Sequence, residues 1–241
     1  MINFEQYLLE RKGSSAGQQT KRKVNIEQLK EMISNKDPEI ADVDVSEITN
    51  MSYLFEGSDF GGSWSADLRG WDTSSVEDMN GMFARCSELT KVEFSNTEKV
   101  EYMANMFKGC TSLREVSLPH TEKVEDMFFM FHDCTNLTKV ELPHTENVVN
   151  MTGMFSGCTT LTKVEIPHTE NVENMQSMFA SCTSLKEVTL PHTKKVTNMY
   201  SMFKDCEKLE QNFSSWDVRG IVRTSMFEGT KVTKFPEGYE Q

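Results

Sequence analysis

Six cysteines and five histidines are the residues of this chain best equipped for chemistry, and most of them recur at a fixed interval. Cys86, Cys110, Cys134, Cys158, Cys182 and Cys206 follow one another every 24 residues. If each 24-residue unit makes one turn of a stack, neighbouring thiols lie about 5 Å apart, within disulfide reach. One thiol per turn in an apolar column also makes a ladder of small, buried, reduced side chains, and that is the expectation. His120, His144, His168 and His192 form a second series, each in a Pro-His-Thr context. Stacked imidazoles suggest zinc binding or a pH response. A straight column cannot wrap a tetrahedral shell around one ion, so solvent-facing turn residues are expected. Asp37, Glu39, Asp42, Asp44 and Glu47 invite a calcium reading, but they lack the glycine and terminal glutamate of a calcium loop and read as a solvated acidic linker. No phosphate-binding loop, dinucleotide fingerprint, nucleophile elbow or zinc-protease helix occurs. The sequence therefore predicts no enzyme, no cofactor, no metal and no small-molecule substrate.

The charge narrows the choice of partner. A formal net charge of -12 argues against nucleic acid and against adhesion to an anionic membrane. No apolar run reaches the ~18 residues that span a bilayer, so no membrane insertion is expected. The opening residues lack the flank, apolar stretch and cleavage site of a secretory signal, which predicts a cytoplasmic or virion-associated chain; cell-surface display would need an unrecognised export route.

The elements that position these side chains follow from the repeat. Each unit reads Val-x-x-Met-x-x-Met-Phe-x-x-Cys-x-x-Leu-x-x-Val-x-Leu-Pro-His-Thr-x-x, with full copies at 100–123 and 124–147. Of 16 methionines, 14 fall in the two Met columns, so methionine usage is architectural. The Val-x-Leu end has strand periodicity, and Pro119, Pro143, Pro167 and Pro191 end it. The Met-Phe half has helical spacing, which predicts one short helical turn. The fold class expected is a right-handed leucine-rich-repeat solenoid of about eight coils, since a fixed period of this length marks that architecture. Degenerate units flank the regular ones: Ile48–Phe55 opens the array, Asp59–Ser75 reads as an insert with Trp64 and Trp71, and the unit ending at Met226-Phe227 reads as one residue short.

Residues 1–23, with five Lys/Arg against two Glu, read as a basic flexible arm, within which 3–11 form a short amphipathic helix. Residues 24–47 read as a capping helix, 26–35 behind an Asn25 cap, and a linker. The solenoid is assigned to 48–235 and a tail to 236–241.

Two stretches carry a family resemblance: Cys110-x-x-Leu113-x-x-Val116-x-Leu118-Pro119, and Val124-x-x-Met127-x-x-Met130-Phe131-x-x-Cys134. They resemble the BspA-like, or Treponema-type, leucine-rich repeat family, as do Asp44–Phe55 and Trp71–Val76. The resemblance covers roughly 24–235. It implies a curved solenoid used for protein or host-surface binding, without enzymatic activity. Phe4–Leu9 is similar to the openings of many tailed-phage proteins.

The informative positions are those where the copies differ. After the first Met, two exposed columns read Asn80-Gly81, Ala104-Asn105, Phe128-Phe129, Thr152-Gly153, Gln176-Ser177 and Tyr200-Ser201. Phe128 and Phe129 break a small, polar habit, and Tyr102, His132 and Tyr200 lie on or near the same flank. Exposed aromatics on a rigid surface are hot-spot candidates, although Phe128 or Phe129 filling a local packing gap is the competing explanation. The function expected is a non-catalytic protein-binding module, with a host or virion surface as one setting for its protein partner. The alternatives are a phage virion or cargo component docked by its amino-terminal arm, and a bacterial surface adhesin.

Overall fold

The computed structural model describes residues 21–59, 64–94 and 96–239. The helix expected at 3–11 and the tether at 12–20 lie outside these residues. Arg22–Lys23, assigned to the flexible arm, instead form a strand (β1) that pairs in parallel with Val43–Asp44 (β2). Val24 explains the anchoring: it is buried, and its N–H donates to the Asp44 carbonyl. Helix α1 spans Ile26–Ser34. The Asn25 side chain accepts from the Gln28 N–H while the Gln28 side chain accepts from the Asn25 N–H, a reciprocal cap. Its buried face is Leu29, Met32 and Ile33.

The stack is held by two parallel ladders. On one side run the strands β3 (Trp64–Leu68), β4 (Leu89–Phe94), β5 (Glu115–Ser117), β6 (Lys139–Glu141), β7 (Lys163–Glu165) and β8 (Glu187–Thr189). Among the described residues β3 pairs with β4, β5 with β6 and β7 with β8, with Val116 opposite Val140 and Val164 opposite Val188. Alternation does the sorting: Val116, Val164 and Val188 point inward, and their charged neighbours outward. The supposed insert is thus the strand half of the first coil, with a longer loop, because Ala66 and Leu68 register with Val92 and Phe94.

On the other side a column of bridges runs Asn50, Asp78, Tyr102, Asp126, Asn150, Asn174, Asn198, Val222. The helical turn expected around Met-Phe is absent. In its place each unit makes consecutive β-turns: Met130 donates to Met127, His132 to Phe129 and Cys134 to Phe131. Helical spacing arises because every third or fourth side chain enters the core, which a run of turns achieves as well as a helix. The alternate N–H groups point along the stack, Met127, Phe129, Phe131 and Asp133 donating to Asn150, Thr152, Met154 and Ser156 at 2.8–2.9 Å.

Between the ladders lies the core. Phe55, Phe83, Phe107, Phe131, Phe155, Phe179, Phe203 and Phe227 stack with centroids 5.1–5.7 Å apart and planes within 13°. The last unit keeps the full 24-residue step from Phe203 to Phe227, so nothing is missing from it; Arg223 stands where the first Met is expected. Beyond it Phe235 and Tyr239 pack on Phe227, which brings part of the expected tail into the end of the stack.

Candidate functional site

The two columns flagged as exposed have different backbones. Tyr53, Gly81, Asn105, Phe129, Gly153, Ser177, Ser201 and Ser225 all have positive φ, between 51° and 59°. Left-handed backbone favours Gly and tolerates Asn, so the small, polar habit of this column is a backbone requirement. Phe129, at φ 51°, is a bulky residue in a conformation that such residues rarely adopt.

The next coil makes room for it. A Cβ built on Gly153 would fall 1.8 Å from the Phe129 ring, so the ring lies directly on bare backbone. Tyr53 rests on Gly81 in the same way, with 2.3 Å to a built Cβ. The left-handed side chain leans over the following coil, and a glycine there gives it space. Phe128 is half-buried, its ring centroid 4.2 Å from that of Phe129. The His132 ring is 4.8 Å from Phe129, and Lys108 Nζ sits 5.2 Å over the same ring. His132 Nε2 reaches the Asp133 carboxylate at 3.2 Å. Burial lowers the His132 pKa against the opposing pull of Asp133, which favours the neutral ring.

Phe128, Phe129 and His132 therefore form one patch. Tyr102 and Tyr200 are exposed; Tyr102 lies in the adjoining coil, bridged to Asp126, whereas Tyr200 stands three coils away along the rod. Tyr102 occupies the bridge column, where the usual Asp or Asn accepts from the N–H two residues on, as Asp126 does from Phe128. Tyr102 has no such acceptor, and Asn80 of the previous coil serves Ala104 instead. Lys108 and the Tyr53–Gly81 pair escaped the sequence reading. The alternation of large and glycine residues 24 or 28 positions apart was the available signal.

The other candidates resolve as structural features. All six cysteines are free and buried. Each donates to a phenylalanine carbonyl of the preceding coil, as Cys134 does to Phe107 at 3.0 Å. Burial pushes the Cys86 and Cys206 thiols up to about 12 and raises the other four in the same direction. The histidines line a turn and interleave with Glu122, Glu146 and Glu170. Glu146, for example, lies 3.3 Å from His144 and 3.6 Å from His168. In the acidic linker, Asp37 caps the 3-10 turn at Glu39, Asp44 accepts from Ser46, and Glu47 pairs with Lys23. Among the described residues no cluster of three His, Cys, Asp or Glu is arranged to hold a metal ion. A groove of about 400 Å³ on the strand face is lined by charges that pair with one another, such as Lys91 with Glu93 and Lys139 with Glu141. No helix among the described residues is long and apolar enough to cross a membrane.

Comparison with known proteins agrees with this architecture. The family described as "Mycoplasma protein of unknown function, DUF285" matches residues 24–141 and again 126–237. A leucine-rich repeat protein from Eubacterium ventriosum aligns with 73% of this chain at 23% identity and a TM-score of 0.54. This chain spans only 45% of that protein. The leucine-rich repeat protein of T. pallidum aligns with 71% of this chain at 21% identity and a TM-score of 0.52, over 76% of its own length. These likenesses establish a leucine-rich-repeat fold. No curated protein matches the sequence.

Proposed function

We propose that this chain, which belongs to the DUF285 family and is BspA-like in its leucine-rich repeats, is a non-catalytic module that binds a protein partner through the aromatic flank around Phe128 and Phe129. The observation that carries the reading is the backbone of Phe129. A large ring occupies a left-handed position that the other coils, apart from the first with its Tyr53, fill with Gly, Asn or Ser, and it stays partly exposed. Strain held against an easy local alternative points to a role outside stability. Two aromatic rings, a lysine and a largely neutral histidine on a rigid rod suit an apolar anchor residue of the partner.

The architectural reading that goes with it is a right-handed rod of eight coils, closed at its amino end by α1. The test compares the wild-type chain with a Phe128→Ser, Phe129→Ser variant in cross-linking and capture from the native source. At least a tenfold loss of one co-purifying protein, with unchanged melting, is expected; equal recovery removes the site. A second reading, a virion or cargo component, rests on the basic composition of residues 1–23. Deleting residues 1–20 abolishes incorporation into particles under that reading and leaves capture by the flank intact under the first.

A further inference from the structure

Among the described residues the turn ladder leaves opposite kinds of group without a backbone partner at its two ends. At its last junction Met199, Ser201, Phe203 and Asp205 donate to the carbonyls of Val222, Thr224, Met226 and Glu228 at 2.6–2.9 Å. The corresponding donors of the final coil are the N–H groups of Arg223, Ser225, Phe227 and Gly229, and none has an acceptor among the described residues. At the other end the first coil repeats the pattern as acceptor. Met51, Tyr53, Phe55 and Gly57 donate forward, while the carbonyls of Asn50, Ser52, Leu54 and Glu56 receive no N–H among the described residues.

These are unlike the edges of an ordinary sheet. A β-strand edge presents N–H and C=O together, so any extended peptide can pair with it. In the final coil the intervening N–H groups are consumed locally, Met226 donating to Arg223, Glu228 to Ser225 and Thr230 to Phe227. What faces outward is a row of donors alone. An extended peptide satisfies only part of such a row. A surface offering four carbonyls at matching positions satisfies all of it, and the first coil of this same chain is such a surface.

We propose that the chain associates head to tail with a second copy, the Arg223–Gly229 edge of one donating to the Asn50–Glu56 edge of the next and continuing the internal ladder across the junction. Among the described residues no backbone group pairs with either edge on this flank. Val222 is 55% exposed, and an open groove lined by Val24, Ile26, Ile48 and Asn50 borders the first coil. The terminal segments bond elsewhere: Val24 donates to Asp44, Phe213 to Lys234 and Lys231 to Leu209. The carboxylates that would meet are already partnered, Glu56 with Arg85 and Glu228 with Lys204. Unlike ends in contact make a heterologous interface, which grows without closing unless the rotation forms a ring.

Sedimentation velocity over a wide concentration range, paired with hydrogen exchange, tests the proposal. The expected result is a mass that rises with concentration without stopping at a dimer, together with slowed exchange at the amides of Arg223, Ser225, Phe227 and Gly229. Arg223→Pro removes one donor and is expected to weaken association about tenfold, the value of one hydrogen bond at a desolvated contact. If that variant misfolds, the four amides of the wild-type chain still decide the matter. A monomer at every concentration overturns the proposal, as does a closed dimer that leaves those amides exchanging freely. Protection of the amides by inorganic phosphate without a rise in mass also overturns it, and identifies an anion-binding nest instead.

Discussion

Phe129 shows how one residue type acquires meaning only from its backbone. The sequence marks it as an aromatic among small polar residues, and that much was legible. Its left-handed φ of 51° and its seat on Gly153 depend on turn geometry that helix-like periodicity conceals. Phe129→Asn relieves about 1–2 kcal/mol of backbone strain and forfeits ring contacts of similar size, so stability within about 1 kcal/mol of wild type is expected in urea unfolding, with partner capture lost. A variant that unfolds readily would favour the packing role instead. The cysteines make a residue-scale prediction with a definite sign. Their thiols ionise near 9 when unfolded, whereas Cys86 and Cys206 are held at about 12 in the fold. Between those values the unfolded chain releases protons that the folded chain keeps, so stability falls as pH rises. The slope is about 1.4 kcal/mol per pH unit for each such thiol. Replacing Cys86 and Cys206 with Ala should flatten the alkaline loss measured by urea unfolding between about pH 8 and pH 10. An unchanged slope would mean that these thiols are not protected.

Elements here are fixed by side chains that stand in for missing backbone partners. The strand ladder has an open edge at β8, and Gln211 closes it: its carboxamide accepts from the Val188 N–H at 2.8 Å and donates to the Val188 carbonyl at 2.9 Å. A side chain thereby substitutes for the next strand. Gln211→Leu leaves two backbone groups unpaired and is expected to lower stability by about 1–3 kcal/mol and to promote aggregation; calorimetry and light scattering read both effects, and no change in either would show the cap to be incidental. Buried threonines act similarly along the turns, Thr97 donating to His120 and Thr145 to His168. The strand positions and their ending at proline were readable because alternation and Pro are local signals. The first coil's strand within 59–75 was not, since Ala66 and Leu68 lack the Val-x-Leu spelling and reveal themselves only through register with Val92 and Phe94. The helical turn was misread because an i, i+3, i+7 pattern records which side chains are buried, not which hydrogen bonds the backbone makes.

At the scale of the whole molecule, stability is a sum over coils and the contacts between neighbours, because each unit touches little beyond the next. The phenylalanine column is the clearest expression of this, and truncating a central ring such as Phe155 to Ala should cost about 3–5 kcal/mol. The same logic makes coils removable. Excising 124–171 deletes two whole units, joins Lys123 to Val172 in unbroken register, and takes the aromatic patch with it. Small-angle scattering combined with thermal unfolding of this variant is the most direct test of the stacked-coil account. The account predicts a cooperatively folded rod about 10 Å shorter than the parent, from two steps of parallel-strand spacing, with its remaining cysteines still protected. An unfolded chain, or a folded one of undiminished length, would contradict it.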